Sequence, residues 1–125
     1  MKIRWLAPSV IAGITLLLAA CLPDCDVDRR NSVLSPNGKM VAVVFGVDCG
    51  ATTGFNTQLS VLPSDAAFDR DEYPPVLVLK DKQELGIRWA SDTSLSVTVP
   101  DGAHENKRLD VSGGVAITYE KTGGL

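Results

Sequence analysis

Pro36-Asn37-Gly38-Lys39, followed by Met40-Val41-Ala42-Val43-Val44-Phe45-Gly46-Val47, decides how this chain folds. The second half is apolar and rich in β-branched residues with no polar alternation, so it reads as a strand buried on both faces. The first half sets Pro early, Asn next and Gly where a positive φ is needed, which is the chemistry of a tight hairpin turn. Asn31 to Ser35 supplies a strand on the near side of that turn. On the far side, after a loop from Asp48 to Phe55, Asn56 to Leu62 alternates and pairs naturally with Met40 to Val47.

Working outward, Pro63 to Pro75 is the least regular stretch, with three prolines, a run of charges and a single helical turn expected over Ala66 to Phe68. Val76 to Leu79 is a short strand. Leu85, Ile87 and Trp89 share one face of the next, and Leu95, Val97 and Val99 point inward from Ser94 to Val99. Pro100 to Asn106 reads as a polar loop. Lys107 to Val111 and Val115 to Lys121 form a last pair around Ser112-Gly113-Gly114. Past residue 20 no segment keeps a helical period with caps. The reading is therefore all-β: a small antiparallel meander forming a sandwich or half-open barrel.

The start of the chain, MKIRWLAPSVIAGITLLLAAC, carries a short basic head (Lys2, Arg4) and then an uncharged stretch from Trp5 to Ala20. That is the layout of a cleaved secretory signal. The stretch falls short of the roughly 20 residues needed to cross a bilayer, and Pro8 and Gly13 weaken a permanent span further. Its close, Leu18-Ala19-Ala20-Cys21, resembles the bacterial lipobox. The resemblance implies cleavage before Cys21, diacylglycerol on its thiol, and a mature chain held by a fatty, palmitate-type anchor. Leu22, where an Asp tends to retain lipoproteins on the inner membrane of enteric-type bacteria, favours an outer membrane if the host has one. The expected organisation is a signal peptide over 1–20, a tether over 21–30 and one small β domain over 31–125. Its place is the cell membrane or outer membrane, facing the periplasm or exterior.

With Cys21 assigned to lipid, the three cysteines leave Cys25 and Cys49 as an even pair in a compartment that permits disulfides. A bridge would close a loop of about 25 residues, with a stabilisation of roughly 3 kcal/mol. The alternative is a free, reactive Cys49 with Cys25 idle.

The chain carries 12 Lys+Arg and 15 Asp+Glu, a net charge of −3, and loss of Lys2 and Arg4 with the signal makes the mature chain −5. A mildly acidic body without a basic block argues against nucleic acid and against direct binding to anionic headgroups. Asp24, Asp26 and Asp28 alternate as in a calcium loop, but the positions needing Gly and Glu hold Arg29 and Ser35. They read as a solvated tether.

Two local resemblances follow from residues already quoted. Ser35-Pro36-Asn37-Gly38-Lys39-Met40-Val41-Ala42 resembles the SPDGK segment of TolB-type propeller repeats. Arg88-Trp89-Ala90-Ser91-Asp92-Thr93-Ser94-Leu95 resembles the W-x-x-D-x-x-x-L segment that often follows it. The chain has room for two repeats at most, so the resemblance implies hairpin geometry and not a propeller. Ser35 to Ser60 is similar to a group of small uncharacterised bacterial proteins, many membrane-anchored, with a DCGATT core; that similarity implies no activity.

Asp48-Cys49-Gly50-Ala51-Thr52-Thr53-Gly54 is the densest polar constellation. A catalytic reading makes Cys49 the nucleophile, His104 its base and the threonines oxyanion donors, but nothing in the spacing brings the imidazole to the thiol. No catalytic residues are assigned. The loop can instead be structural, with Gly50 and Gly54 supplying unusual dihedrals, or a recognition surface formed by Asp48, Thr52, Thr53 and Phe55. His104 lies in a polar loop and makes no zinc site alone. Trp89 reads as core. Pro36-Asn37-Gly38-Lys39 lacks the pattern of a phosphate loop. No cofactor and no metal are expected. The functional expectation is a membrane-anchored lipoprotein that is not an enzyme, serving as a binding or envelope-assembly module for an envelope protein. The alternative is an inhibitor or immunity-type lipoprotein that acts on a cell-wall hydrolase through loop 48–55.

Overall fold

The structure, a computed structural model, describes residues 25–50 and 54–122. Nine strands follow in chain order: β1 (Asp26–Leu34), β2 (Met40–Asp48), β3 (Phe55–Pro63), β4 (Leu77–Lys80), β5 (Gly86–Ser91), β6 (Ser94–Val99), β7 (Glu105–Arg108), β8 (Val111–Ser112) and β9 (Val115–Lys121). They form a five-stranded sheet, β1-β2-β3-β4-β7, and a four-stranded sheet, β5-β6-β9-β8. The two are arranged as a sandwich and do not close into a barrel.

The apolar run that opened the argument is buried from Val41 to Val47 without interruption. Its even side, Ala42 and Val44, joins Leu59, Val61, Leu77, Leu79, Leu95, Val97, Val115 and Ile117 in the core between the sheets. Its odd side, Val41, Val43, Phe45 and Val47, faces away from the second sheet and packs with Leu62, Ala66, Phe68, Tyr73 and the two bridged cysteines. The irregular segment after β3 is thus a cover for the outer face of the first sheet. Phe68 meets Phe45 edge-on at 4.9 Å between ring centres, and Arg29 lies over the Phe68 ring at 5.5 Å. Residues 66–68 are not helical; the turns lie at 64–65 and 70–72.

Three other expectations are corrected. The charged run ahead of residue 31 is not all tether, since Asp26 to Arg30 is the first half of β1 and pairs with β2 from Asp26↔Asp48 onward. Lys107 to Val111 is not one strand: β7 joins the first sheet beside β4, whereas β8 joins β9 in the second. The first sheet is a meander through β4, but β6 and β9 run parallel. The fifteen residues between Val99 and Val115 visit the other sheet as β7 before returning. A parallel pair needs a crossover of about that length.

Two contacts tie the sheets together at their edges. Trp89 Nε1 donates to the Val33 carbonyl at 2.9 Å, joining β5 to β1, so its ring belongs to the fold. Asn37 N donates to Asp92 Oδ1 at 2.8 Å, joining the tight turns of both sheets. The Asn37 side chain also accepts from Ser35 Oγ at 2.8 Å and Lys39 N at 3.0 Å, which locks the β1–β2 turn.

The returning segment 108–110 is pinned by Tyr119, whose hydroxyl donates to the Leu109 carbonyl at 2.6 Å under the Arg108 guanidinium, 4.1 Å from the ring centre. Burial pushes the Tyr119 phenol up to about 12, against the pull of Arg108 and with help from Asp110 and Glu105. The folded chain therefore holds this proton more tightly than the unfolded chain, where the phenol ionises near pH 10. The stabilisation is complete below pH 10 and is lost as pH rises toward 12. Denaturant midpoints are expected to fall across that window for the native chain, and less steeply for Tyr119→Phe.

Gly46 is required by a close approach, because a Cβ there would overlap the tip of the Phe55 ring. Gly46→Ala is expected to cost about 1–2 kcal/mol in urea denaturation by displacing that ring. Added to Phe55→Ala it is expected to cost almost nothing more, since the colliding atoms are gone.

Candidate functional site

The strand register gives the sandwich two distinct ends. Asp26 faces Asp48, Asp48 faces Phe55, Asn56 faces Lys80, and Gly86 faces Thr98. Cys25, the described ends of the loop at 49–50 and 54, the connection 81–85 and the loop 100–104 therefore gather at one end. The turns at 36–39, 92–93 and 113–114 occupy the other.

Cys25 and Cys49 are bonded to each other, with Cα atoms 4.0 Å apart. Cys49 is then no free thiol, and His104, exposed in its loop, contributes its carbonyl to Lys80 N at 2.9 Å. Two bonds hold the described ends of the loop after Cys49. Asp48 Oδ1 accepts from Gly50 N at 3.1 Å, and Gly54 N donates to the Gly50 carbonyl at 3.1 Å. Gly50 and Gly54 take φ of 114° and 74°, the positive values expected of them. Of the four residues read as a recognition surface, Asp48 is exposed at the rim and Phe55 is half-buried against Gly46. Thr52 and Thr53 lie outside the described residues, as does Cys21. Among the described residues no three His, Cys, Asp or Glu side chains converge as metal ligands.

A second arrangement, on the flank beside the middle of β1, was not read from the sequence. Between the β1 edge and the 81–85 connection opens a cleft of about 340 Å³ lined by Arg30, Asn31, Val44, Gln83, Glu84 and Leu85. Its construction starts with a β-bulge. Arg29 pairs with Phe45 and Asn31 with Val44, so Arg30 is the extra residue. The bulge breaks strict alternation and turns both Arg30 and Asn31 into the cleft, the re-aiming that bulges commonly provide.

The opposite wall is held by Thr57, a fully buried hydroxyl. Its Oγ1 donates to the Asp81 carbonyl and accepts from Gln83 N, each at 2.8 Å. Asp81, at φ 67°, turns the chain there, and its N–H donates to the Phe55 carbonyl at 2.7 Å. Gln83 Nε2 donates to the Lys80 carbonyl at 3.2 Å, which leaves the amide oxygen for the cleft. Arg30 Nη1 is buried and has no hydrogen-bond partner. A buried polar group left unpaired is costly, more so when charged.

Comparison with protein-family models, with curated proteins and with solved structures finds no match to this chain.

The disulfide joins the first described residue, Cys25, to the residue that follows β2, Cys49, across a separation of 24 residues. Replacing both Cys25 and Cys49 by Ser is expected to lower unfolding free energy by roughly 3 kcal/mol, read from urea denaturation with and without reductant. The native chain under reductant is expected to match the double variant.

Proposed function

We propose that this chain is a lipid-anchored, non-catalytic binding module of a bacterial cell envelope, processed before Cys21 and facing the periplasm or exterior. The observation that carries the proposal is the Cys25–Cys49 bond. It uses two of the three cysteines and leaves Cys21 the sulfur available for lipid. It also stands four residues beyond that attachment point. Four residues span at most about 14 Å, so the domain would sit against its membrane and not swing on a long leash. Two or three acyl chains, at about 0.8 kcal/mol per buried methylene, would hold it there.

A module of this kind acts by what it binds, and the partner is an envelope component. The reading as an inhibitor or immunity-type protein is less well supported. It needs loop 48–55 to enter the groove of a cell-wall hydrolase, and Cys49 ties that loop to the tethered end.

Intact-mass spectrometry of the native product tests the anchor. The expected species lacks residues 1–20 and carries diacylglycerol on Cys21, and Cys21→Ser is expected to leave the membrane fraction and accumulate as precursor or soluble chain. A native product with an unmodified Cys21 thiol would overturn the proposal.

A further inference from the structure

We propose that the Arg30 cleft is a binding site for a carboxylate, of the kind borne by the C-terminus of a peptide or by a free amino acid. The inference rests on the binding-module reading and names its ligand class, but it does not depend on the lipid.

The anchor of the site is the guanidinium. Arginine presents a planar fork that matches a carboxylate with two parallel hydrogen bonds. Here the bulge brings Arg30 into the lining of the cleft, and its Nη1 is buried without a hydrogen-bond partner. No ion pair joins Arg30 to Glu84, although both line the same cleft; among the described residues the ion pair found is Arg108–Glu105. The cationic group is therefore not consumed by the fold.

The remaining lining selects among anions. Glu84 adds a negative charge to the wall, which disfavours a doubly charged phosphate and tolerates a single carboxylate held at the Arg30 side. Glu84 and the free amide oxygen of Gln83 are acceptors, suited to an N–H next to the carboxylate. An α-carboxylate with its neighbouring amide or ammonium supplies that pairing of acceptor and donor. Val44 and Leu85 form an apolar floor that fits a short side chain. A volume of about 340 Å³ lies at the lower end of small-ligand pockets, enough for one or two residues. The wall carrying Gln83 and Glu84 is fixed beforehand by the buried Thr57 hydroxyl, so little ordering remains to be done on binding.

The test is an amide chemical-shift titration of the full chain in detergent, in buffer free of carboxylates. The probes are N-acetyl-alanyl-alanine, its C-terminal amide, free alanine and inorganic phosphate. The free-acid dipeptide is expected to shift residues 30, 31, 44 and 83–85, whereas the amide-capped form leaves them in place. Stronger binding of the acetylated dipeptide than of alanine assigns the site to peptide ends, and the reverse order assigns it to amino acids. Arg30→Gln is expected to weaken the better probe by about tenfold or more, and Arg30→Lys, which keeps the charge but not the fork, by less. Equal response to acid and amide overturns the proposal without relying on any variant. So does tighter binding of phosphate, or unchanged affinity in a folded Arg30→Gln chain. The mass at Cys21 is measured on the same preparation. Absent carboxylate binding with a lipidated Cys21 overturns the cleft assignment alone, and binding with an unmodified Cys21 overturns the anchor alone.

Discussion

A strand that is apolar on both faces has to be covered twice, and the architecture around β2 follows from that requirement. Val41 through Val47 cannot sit at a sheet edge or on a wet face without exposing several large side chains. One cover is the second sheet, which contributes Leu95, Val97, Val99, Val115 and Ile117 to the shared core. The other is not a sheet at all. It is the proline-containing segment after β3, seated by Phe68 on Phe45 and by the contact of Tyr73 with the outer cluster. Ser60, buried in β3, donates to the Tyr73 carbonyl at 3.1 Å and so ties the cover to the sheet beneath it. An irregular segment suits this place because its polar backbone faces solvent while a few apolar side chains reach down.

The same need explains the disulfide and the first strand. β1 is an edge strand with few buried side chains, so little hydrophobic burial holds its N-terminal half. Its backbone pairs with β2, and the bond from Cys25 to Cys49 closes the end of that ladder. Charges and a bulge along an exposed edge are also what keep such an edge from pairing with another chain. In this chain the bulge does more than protect the edge, because the residue it inserts is the arginine of the cleft. A device that spoils one kind of contact thereby creates the geometry for another.

How much of this was legible in the sequence depended on whether burial was local or distant. β2 and β3 were readable because an unbroken apolar run and an alternating one announce themselves within a few residues, and the two strands pair as expected. β6 was readable for the same reason, with Leu95, Val97 and Val99 all inward. The first half of β1 was hidden because Asp26-Val27-Asp28-Arg29-Arg30 needs no apolar residue to be a strand when its neighbour supplies the hydrogen bonds. The split between β7 and β8, and the parallel course of β9, depend on which sheet the chain visits after Val99. No local signal carries that choice. The cleft was illegible for a related reason: Arg30 and Gln83 lie far apart along the chain, and only a one-residue slip in the β1–β2 register turns the arginine inward.

The placement of loops on the two ends bears on how such a domain could work. The constellation that looked most like a site, residues 48–55, contains the cysteine that fastens the chain's entry point. Among its described residues, Asp48 is turned to Gly50 and Phe55 is folded over Gly46. The cleft, by contrast, opens on the side of the sandwich, beside an edge strand and halfway along it. Under the lipid anchor proposed at Cys21, an end-on approach to loop 48–55 would meet the bilayer first, whereas a lateral approach to Arg30 would remain open to an extended chain end lying along the membrane surface. A rigid domain held close to a surface gains from having its recognition groups at its flank. In that proposed arrangement the disulfide would set the orientation of the domain, and the bulge the direction from which a ligand arrives.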